Sequence, residues 1–311
     1  MRSLFRSLLL GCAALAASGV AARAEDDLSA PFLKLTRAAA WRPVATIPLD
    51  FPTFHPQGLA RVGDRFLLSS VDIQERPQSF GALRDGMDRS AGRGQGHVFE
   101  VDGQGHLLRD LKLGEGDIYH PGGMDFDGTF LWVPVAEYRP NSHSIIYRVD
   151  PRSMQAEEMF RVPDHVGGLV MDRASGTLHG VSWGSRRFYS WKLDAAGHPA
   201  GAAEPPRENP SFYVDYQDCH AAAAGRMLCG GLNVYRPAGQ NGPALALGGL
   251  DLVDLARGTP LRQLPVELWT ESGLPMTQNP FAAAPEGNGM RFWFAPEDDR
   301  TRIYVFDAVP R

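Results

Sequence analysis

The chain has 311 residues, a formal net charge of −5 at pH 7 and a hydrophobic content of 43%. This acidic balance argues against a nucleic-acid partner and against binding to an anionic membrane surface. Beyond the first 24 residues, no stretch is apolar enough, for long enough, to cross a bilayer, so no transmembrane segment is predicted.

The first 24 residues have the pattern of a secretory signal peptide. Arg2 and Arg6 precede an apolar run over residues 8–17, and small residues end the segment at 22–24. Cleavage there would remove three arginines and leave 287 residues with a formal charge of −8. We therefore expect a periplasmic or secreted protein. Cleavage as a lipoprotein at Cys12 is the alternative.

A unit of three short strands recurs along the rest of the chain. In the clearest copy, residues 120–150, the segments GGMDFD, TFLWVPV and SIIYRVD are separated by turn residues. Each copy opens with a His or Asn, usually followed by small residues, and its third strand ends at or near an Asp. The opening residues are His55, His120, His165, His220 and Asn279.

The openings are 65, 45, 55 and 59 residues apart, close to the roughly 40–50 residues of a four-stranded propeller blade plus insertions. Five copies predict an all-β, five-bladed β-propeller. The last copy lacks a fourth strand, so we expect the N-terminal strand at 41–50 to pair there and close the ring. Residues 25–39 are then a polar lead-in, and 40–311 form one monomeric domain.

Two cysteines remain after the leader. Cys219 and Cys229 are separated by a predicted tight turn, so they would face each other across a hairpin, and an oxidising compartment favours a disulfide between them. The alternative is a metal-binding pair of Cys219 and His220.

The four opening histidines are expected around one mouth of the central channel. Imidazole is the commonest metal ligand, so the ring formed by His55, His120, His165 and His220 predicts a divalent metal site for Zn, Fe or Mn. Asn279 in the fifth place leaves room for water or substrate. Two alternatives stay open: each His is a structural latch between blades, or the ring binds a ligand without metal.

Polar residues follow the second strands and belong at the same mouth. Glu137 is the candidate general base or a partner of a ligating His, and pairing with an arginine is its alternative. The other candidate ligand-binding residues here are Asp72, Tyr138, Trp183 and Glu297.

Arginines recur at the turns after three of the second strands. Arg76, Arg139 and Arg236 each precede a proline, and such a rim would favour a small anionic ligand, although structural salt bridges explain it equally. Long insertions at 73–96 and 237–246 lie at this mouth as candidate lids, with disorder as the alternative.

The segments HPQGL, HPGGMDFDG and VAEYRPNSHSIIYRVDP resemble a family of secreted bacterial propellers catalogued only as a domain of unknown function. More distantly, the blade pattern is similar to gluconolactonase-like and strictosidine-synthase-like propellers. The gluconolactonase-like enzymes hold their metal with Glu, Asn and Asp, whereas this chain has His in four places, so their substrates are not implied here.

Two functions follow from these observations. One is a metal-dependent, lactonase-like hydrolase or lyase that acts on a small anionic molecule through a metal-activated water, with Glu137 as base. The other is a non-catalytic propeller that binds a ligand or a protein, in which the histidines are structural.

Overall fold

The recurring three-strand unit is part of one blade of a five-bladed β-propeller in the computed structural model, which describes residues 27–202, 204–236 and 244–311. The predicted signal peptide, and residues 237–243 of the second insertion, lie outside the described residues. Across those described ranges, no helix has the length and apolar character needed to cross a membrane.

Each blade is a four-stranded antiparallel sheet, and the second blade carries a split first strand. The helix α1 is Ser29–Phe32. The strands of the first half are β1 (Ala40–Pro48), β2 (His55–Val62), β3 (Arg65–Glu75), β4 (Ser79–Arg84), β5 (Met87–Arg89), β6 (Arg93–Val101), β7 (Leu107–Leu113), β8 (Ile118–Pro121), β9 (Asp125–Phe126), β10 (Leu131–Glu137), β11 (Ser144–Asp150) and β12 (Gln155–Val162). Those of the second half are β13 (Val166–Asp172), β14 (Thr177–Ser182), β15 (Arg187–Lys192), β16 (Arg207–Glu208), β17 (Asp215–Ala223), β18 (Arg226–Tyr235), β19 (Leu245–Asp254), β20 (Thr259–Val266), β21 (Phe281–Glu286), β22 (Gly289–Phe294) and β23 (Arg302–Val309).

The five sheets follow one another around the axis in chain order. Blade 1 is β2-β3-β6-β7, blade 2 is β8/β9-β10-β11-β12, blade 3 is β13-β14-β15-β16, blade 4 is β17-β18-β19-β20, and blade 5 is β21-β22-β23-β1. The outer strand of blade 3, β16, is only two residues long. The inner strands β2, β9, β13, β17 and β21 contact one another around the channel.

The position of a strand within its blade explains which amino acids the strand contains. The second strand β10, LWVPVAE, is buried along its whole length because neighbouring blades cover both of its faces, and it reads as a continuous apolar run. The outer strand β12 begins with four exposed residues, QAEE. Apolar surface is therefore concentrated between blades, where it forms the interfaces that hold the propeller together.

The N-terminal strand closes the ring, as predicted. β1 pairs antiparallel with β23 as the outer strand of blade 5, with Ala40 opposite Val309 and Pro48 opposite Arg302. The preceding lead-in is not simply a polar segment. Leu28, Phe32 and Leu35 are fully or almost fully buried against the cores of blades 4 and 5.

Glycines at the first strands allow blades 2 and 3 to share backbone hydrogen bonds. The Gly123 N–H donates to the Gly167 carbonyl (2.9 Å), and the Leu169 N–H donates to the Gly123 carbonyl (3.1 Å). A Cβ atom on Gly122 would lie 2.2 Å from the Gly167 oxygen. Gly122 is therefore required by this close approach of the two blades.

Blade 4 contains the predicted disulfide. Cys219 and Cys229 are directly opposite residues of β17 and β18, with Cα atoms 4.1 Å apart, and they are joined. The insertion at 73–96 is also ordered: β3 and β6 extend into it, and β4 and β5 form a hairpin at its tip.

A buried charged cluster lies deeper in the channel. The imidazole of His220 lies 3.6 Å from a carboxylate oxygen of Asp125 and 3.6 Å from one of Asp218, and its Nε2 donates to the Phe281 carbonyl at 2.6 Å. Asp218 accepts the Leu59 N–H (2.9 Å). Since Asp125 also accepts an N–H from blade 3, this cluster links all five blades.

The cluster binds protons more tightly than the unfolded chain does. Burial alone would lower the pKa of His220, but the carboxylates of Asp218 and Asp125 and the Phe281 carbonyl raise it to about 9. Burial also raises the pKa of Asp218. Because the folded protein holds the His220 proton up to a higher pH, its stabilising effect is full below about pH 6.5 and is lost as the pH rises through about 9.

We therefore expect the free energy of unfolding to fall between pH 6.5 and pH 9, by up to about 3 kcal/mol. Urea denaturation at a series of pH values measures this. The double variant Asp125→Asn/Asp218→Asn removes the charges that keep His220 protonated, so the fall should disappear. Asp172→Asn, at another buried aspartate, should keep it. A wild-type stability that is flat or rising over this range would contradict the assignment.

Candidate functional site

A β-bulge in the first strand identifies equivalent positions of different blades at one mouth of the channel. In blades 1, 3 and 4, one residue of the first strand has no partner in the second strand. These bulged residues are Gln57, Gly167 and Gln217. The residues two places earlier are His55, His165 and Asp215. By the same sequence position, His120 and Asn279 represent blades 2 and 5.

The prediction that His220 belongs to this ring is therefore wrong, because the equivalent residue of blade 4 is Asp215, five positions earlier. Asp215 lies at the mouth in blade 4, whereas His220 lies farther along β17, opposite Leu228, in the axial cluster. His220 is one of the structural latches that the alternative interpretation predicted, since it bonds to the backbone of blade 5. Three histidines remain at the mouth.

The spacing between strands is the signal that identifies Asp215. In the other four blades, the second strand begins 10 to 12 residues after the opening residue. Asp215 is 11 residues before Arg226, whereas His220 is only 6 residues before it. The His-Ala-Ala-Ala sequence resembled the other openings, but it is too close to the second strand to be one.

Two adjoining cavities occupy the mouth. The larger, of about 240 Å³, is lined by all three histidines together with Tyr138, Trp183 and Asp215. The smaller, of about 140 Å³, shares His55 and Tyr138 and is lined by Asp72, Arg76, Asp298 and Asp299. The structure thus brings together several residues that the sequence had placed at this mouth.

His120 lies in the middle of the histidine row. Its ring stacks on Tyr138 at 4.2 Å and is flanked by His55 at 6.2 Å and His165 at 6.0 Å between ring centres. Both ring nitrogens are buried and have no hydrogen-bond partner among the described residues. Burial holds the pKa of His120 well below its usual range, so the ring is neutral. Unpartnered buried nitrogens are costly in a protein interior unless something else occupies the site.

His55 is oriented by a carboxylate. Its Nδ1 donates to Asp298 at 2.8 Å, and the Asn279 side-chain amide donates to the same Asp298 oxygen at 3.0 Å. Burial acts to raise the pKa of Asp298, but the bonds from His55 and Asn279 outweigh it and hold that pKa below its usual value. Because Nδ1 carries the proton, the lone pair of His55 is on Nε2.

The residues next to this pair have an unusual backbone. Phe54 and Asp299 both have positive φ, at 52° and 61°, and they form an isolated β-bridge with each other. Left-handed conformations of this kind are costly for residues other than glycine and often mark functional sites. The bridge holds His55 and Asp298, the adjacent residues in sequence, side by side.

Glu137 supports His165 from outside the cavity. The His165 Nδ1 donates to the Glu137 backbone carbonyl at 2.8 Å, and burial lowers the pKa of His165 to about 4. The Glu137 carboxylate is bonded to His143 (2.8 Å) and to Arg139. Both of its oxygens are thus occupied by neighbours, and the general-base role predicted for Glu137 has no support in its contacts.

The rim arginines do not form a free cationic ring. Arg139 is paired with Glu137, and Arg236 is exposed beyond the end of β18. Glu297 is bonded to Arg302 rather than directed at the cavities. Arg76 is the predicted arginine that lines a cavity, and three aspartates line the same wall.

The histidines have the chemistry of metal ligands but are spaced widely. Two imidazoles that ligate one metal at about 2.1 Å, in tetrahedral geometry, have ring centres about 5 Å apart. The neighbouring rings here are 6.0 and 6.2 Å apart. Over residues 27–202, 204–236 and 244–311, no group of three or more His, Cys, Asp or Glu side chains is placed to hold a metal ion.

Comparison with known families gives one match in sequence. The model of a family described as "Family of unknown function (DUF6454)" matches residues 14–311. No curated protein matches the chain.

Known structures match in fold. A hypothetical protein from Leishmania major is 10% identical, with a TM-score of 0.51, over 86% of this chain and 91% of that one. Hydrazine synthase from Kuenenia stuttgartiensis is 12% identical, with a TM-score of 0.37, over 81% of this chain but only 65% of that one. The GH43 endo-arabinanase from Bacillus licheniformis is 10% identical, with a TM-score of 0.46, over 84% and 96%. At these identities the first likeness shows the fold alone, and the other two carry no argument.

The protonation states of the mouth histidines can be measured directly. At pH 5.5 we expect His165 and His120 to be neutral, because burial lowers both pKa values, and exposed His106 to be charged, because Asp102 raises its pKa. Nitrogen-15 NMR of the imidazole rings, assigned with single His→Gln variants, reports charge and tautomer. A His165 that titrates above pH 6 would contradict this description.

Proposed function

We propose that this chain, which belongs to DUF6454, a family of unknown function, binds a small polar molecule at the channel mouth and acts on it as a hydrolase or lyase by general acid–base catalysis. The hydrogen-bonded pair of His55 and Asp298 carries the proposal. A carboxylate that fixes the tautomer of an imidazole is the arrangement that prepares a histidine to take a proton.

The surrounding groups have roles that suit this chemistry. His55 Nε2 would take a proton from water or from the ligand, and Asp298 would stabilise the charged ring that results. Asn279 positions Asp298 through its side-chain amide and is itself held by the Pro296 carbonyl at 3.0 Å. The stacked rings of His120 and Tyr138 form the wall against which the ligand would lie.

The predicted leader and the disulfide support a location in the periplasm or outside the cell. Proteins with a cleavable signal peptide and a disulfide are typically found in the periplasm or outside the cell, where thiols become oxidised. We propose that the mature protein works there as a monomer, on a molecule that reaches it from outside or crosses the periplasm.

A matched pair of histidines tests the catalytic assignment. His106 is bonded to Asp102 through Nδ1 at 3.0 Å, as His55 is to Asp298, but it does not line the cavities. In a screen of lactones, carboxylic esters and phosphate esters, we expect turnover to fall about 10²- to 10⁴-fold in His55→Asn and Asp298→Asn. The variants His106→Asn and Asp102→Asn should keep wild-type rates.

Circular dichroism of all four variants checks that the fold is retained. Unchanged turnover in folded His55→Asn would overturn the role of this pair. Binding of compounds without turnover of any of them would leave the competing function, a propeller that binds a ligand without chemical change.

A divalent metal is the second candidate, favoured by the two unpartnered nitrogens of His120. Neutral imidazoles whose other nitrogen is held by a carboxylate or a carbonyl are the usual ligands of catalytic zinc. His55, His120 and His165 would hold the ion if the rings moved closer together. The ion would supply an activated water for the same hydrolysis.

Elemental analysis of the mature protein, purified without a His-tag or chelating resin, distinguishes the two candidates. If a metal is bound, we expect nearly one equivalent in the wild type and its loss in His120→Ala/His165→Ala. Metal-free protein that retains turnover in EDTA would exclude this second candidate and leave the acid–base proposal standing.

A further inference from the structure

Several polar groups at the mouth have an N–H donor already in use. The Nδ1 protons of His55 and His165 are donated to Asp298 and to a backbone carbonyl. One amide N–H of Gln57 is donated to the Pro56 carbonyl, and the amide of Asn279 donates to the Pro296 carbonyl and to Asp298. The Nε2 lone pairs of His55 and His165 can therefore accept hydrogen bonds from a ligand that carries donors.

The charge of the mouth also favours a cation. The smaller cavity is lined by Asp72, Asp298 and Asp299 against a single arginine, Arg76. In the adjoining larger cavity, His120 and His165 add no positive charge, because burial lowers both pKa values. An anionic ligand, which the arginine pattern of the sequence suggested, would meet more carboxylates than guanidinium groups on this wall.

The aromatic wall supports the same conclusion. Tyr138 and Trp183 line the larger cavity with their rings 5.8 Å apart. The guanidinium of Arg89, from the β4–β5 insertion, lies 5.2 Å from the centre of the Trp183 ring. One face of this wall therefore already attracts a cation, as electron-rich aromatic faces do.

The distance between neighbouring imidazole rings distinguishes a site for an ammonium ion from a site for a metal ion. Two imidazoles that accept hydrogen bonds from one ammonium nitrogen at about 2.9 Å have ring centres roughly 6.5 Å apart, compared with about 5 Å around a metal. The separations observed on either side of His120 are 6.0 and 6.2 Å. They are closer to the value for the ammonium ion.

We infer that the ligand presents a protonated primary amine to the row formed by His55, His120 and His165, with Asp72 and Asp298 balancing its charge. The inference rests on the proposed binding cavity and names the chemical class of its ligand. His120 supplies the central acceptor, which gives a partner to one of its two buried, unpartnered ring nitrogens. The ammonium group would lie against Tyr138.

Three organic ions of similar size and one metal ion test this inference. The ions n-butylammonium, tetramethylammonium, butyrate and Zn²⁺ are each titrated calorimetrically into the mature protein at pH 7 and constant ionic strength. We expect n-butylammonium to bind and to shift the nitrogen-15 signal of the His120 ring. Tetramethylammonium has no N–H donor and should bind at least about tenfold more weakly. Butyrate should not bind.

Two variants locate the site. His120→Phe keeps a ring to stack on Tyr138 but has no nitrogen, so the affinity for n-butylammonium should fall about tenfold or more. Asp72→Asn removes a charge from the wall and should weaken binding severalfold. Asp64→Asn, at the exposed turn at the other end of β3, should leave the affinity unchanged.

The outcomes separate this inference from the proposed function. Equal binding of tetramethylammonium, stronger binding of butyrate, or Zn²⁺ bound at His120 without competition from the amine would each overturn the ammonium ligand. Turnover that depends on His55 with no amine binding would overturn this inference alone. Amine binding with no turnover of any screened compound would overturn catalysis alone.

Discussion

The charged imidazole of His220, held between Asp125 and Asp218 on the propeller axis, is the interaction on which the rest of the structure depends. A propeller buries its apolar surface between adjacent blades, but the narrow centre exposes backbone N–H and carbonyl groups that need partners. The two carboxylates and the imidazole satisfy such groups in the other blades. Without the positive charge, two buried carboxylates would repel each other across the channel.

The histidines of this cluster and of the candidate site differ in their charge. In the cluster, a histidine is charged because two carboxylates are within 3.6 Å. At the mouth, His120 and His165 are neutral because burial outweighs the charges around them. His220 therefore helps to hold the blades together through its charge, whereas His120 and His165 carry no charge at the mouth.

The site itself depends on contacts between segments that are distant in the chain. Asp298 follows the second strand of the last blade, yet it orients His55 at the start of the first blade, 243 residues earlier. This contact forms because the N-terminal strand β1 pairs with β23 and brings the two ends of the chain together. The strained bridge between Phe54 and Asp299 then fixes the pair. Ring closure is thus a requirement of the site as well as of stability.

From the sequence we could predict the number of blades, the strand that closes the ring, the disulfide and three of the mouth histidines, because strand alternation, turn residues and repeat spacing are local properties. It did not separate His220 from Asp215, since a bulge in β17 sets which residue faces the mouth and a bulge is visible only in the pairing with β18. It also could not show that Glu137 is occupied by Arg139 and His143. Both points became visible only in the folded chain, because burial and pairing of a side chain depend on neighbours that come from other parts of the chain.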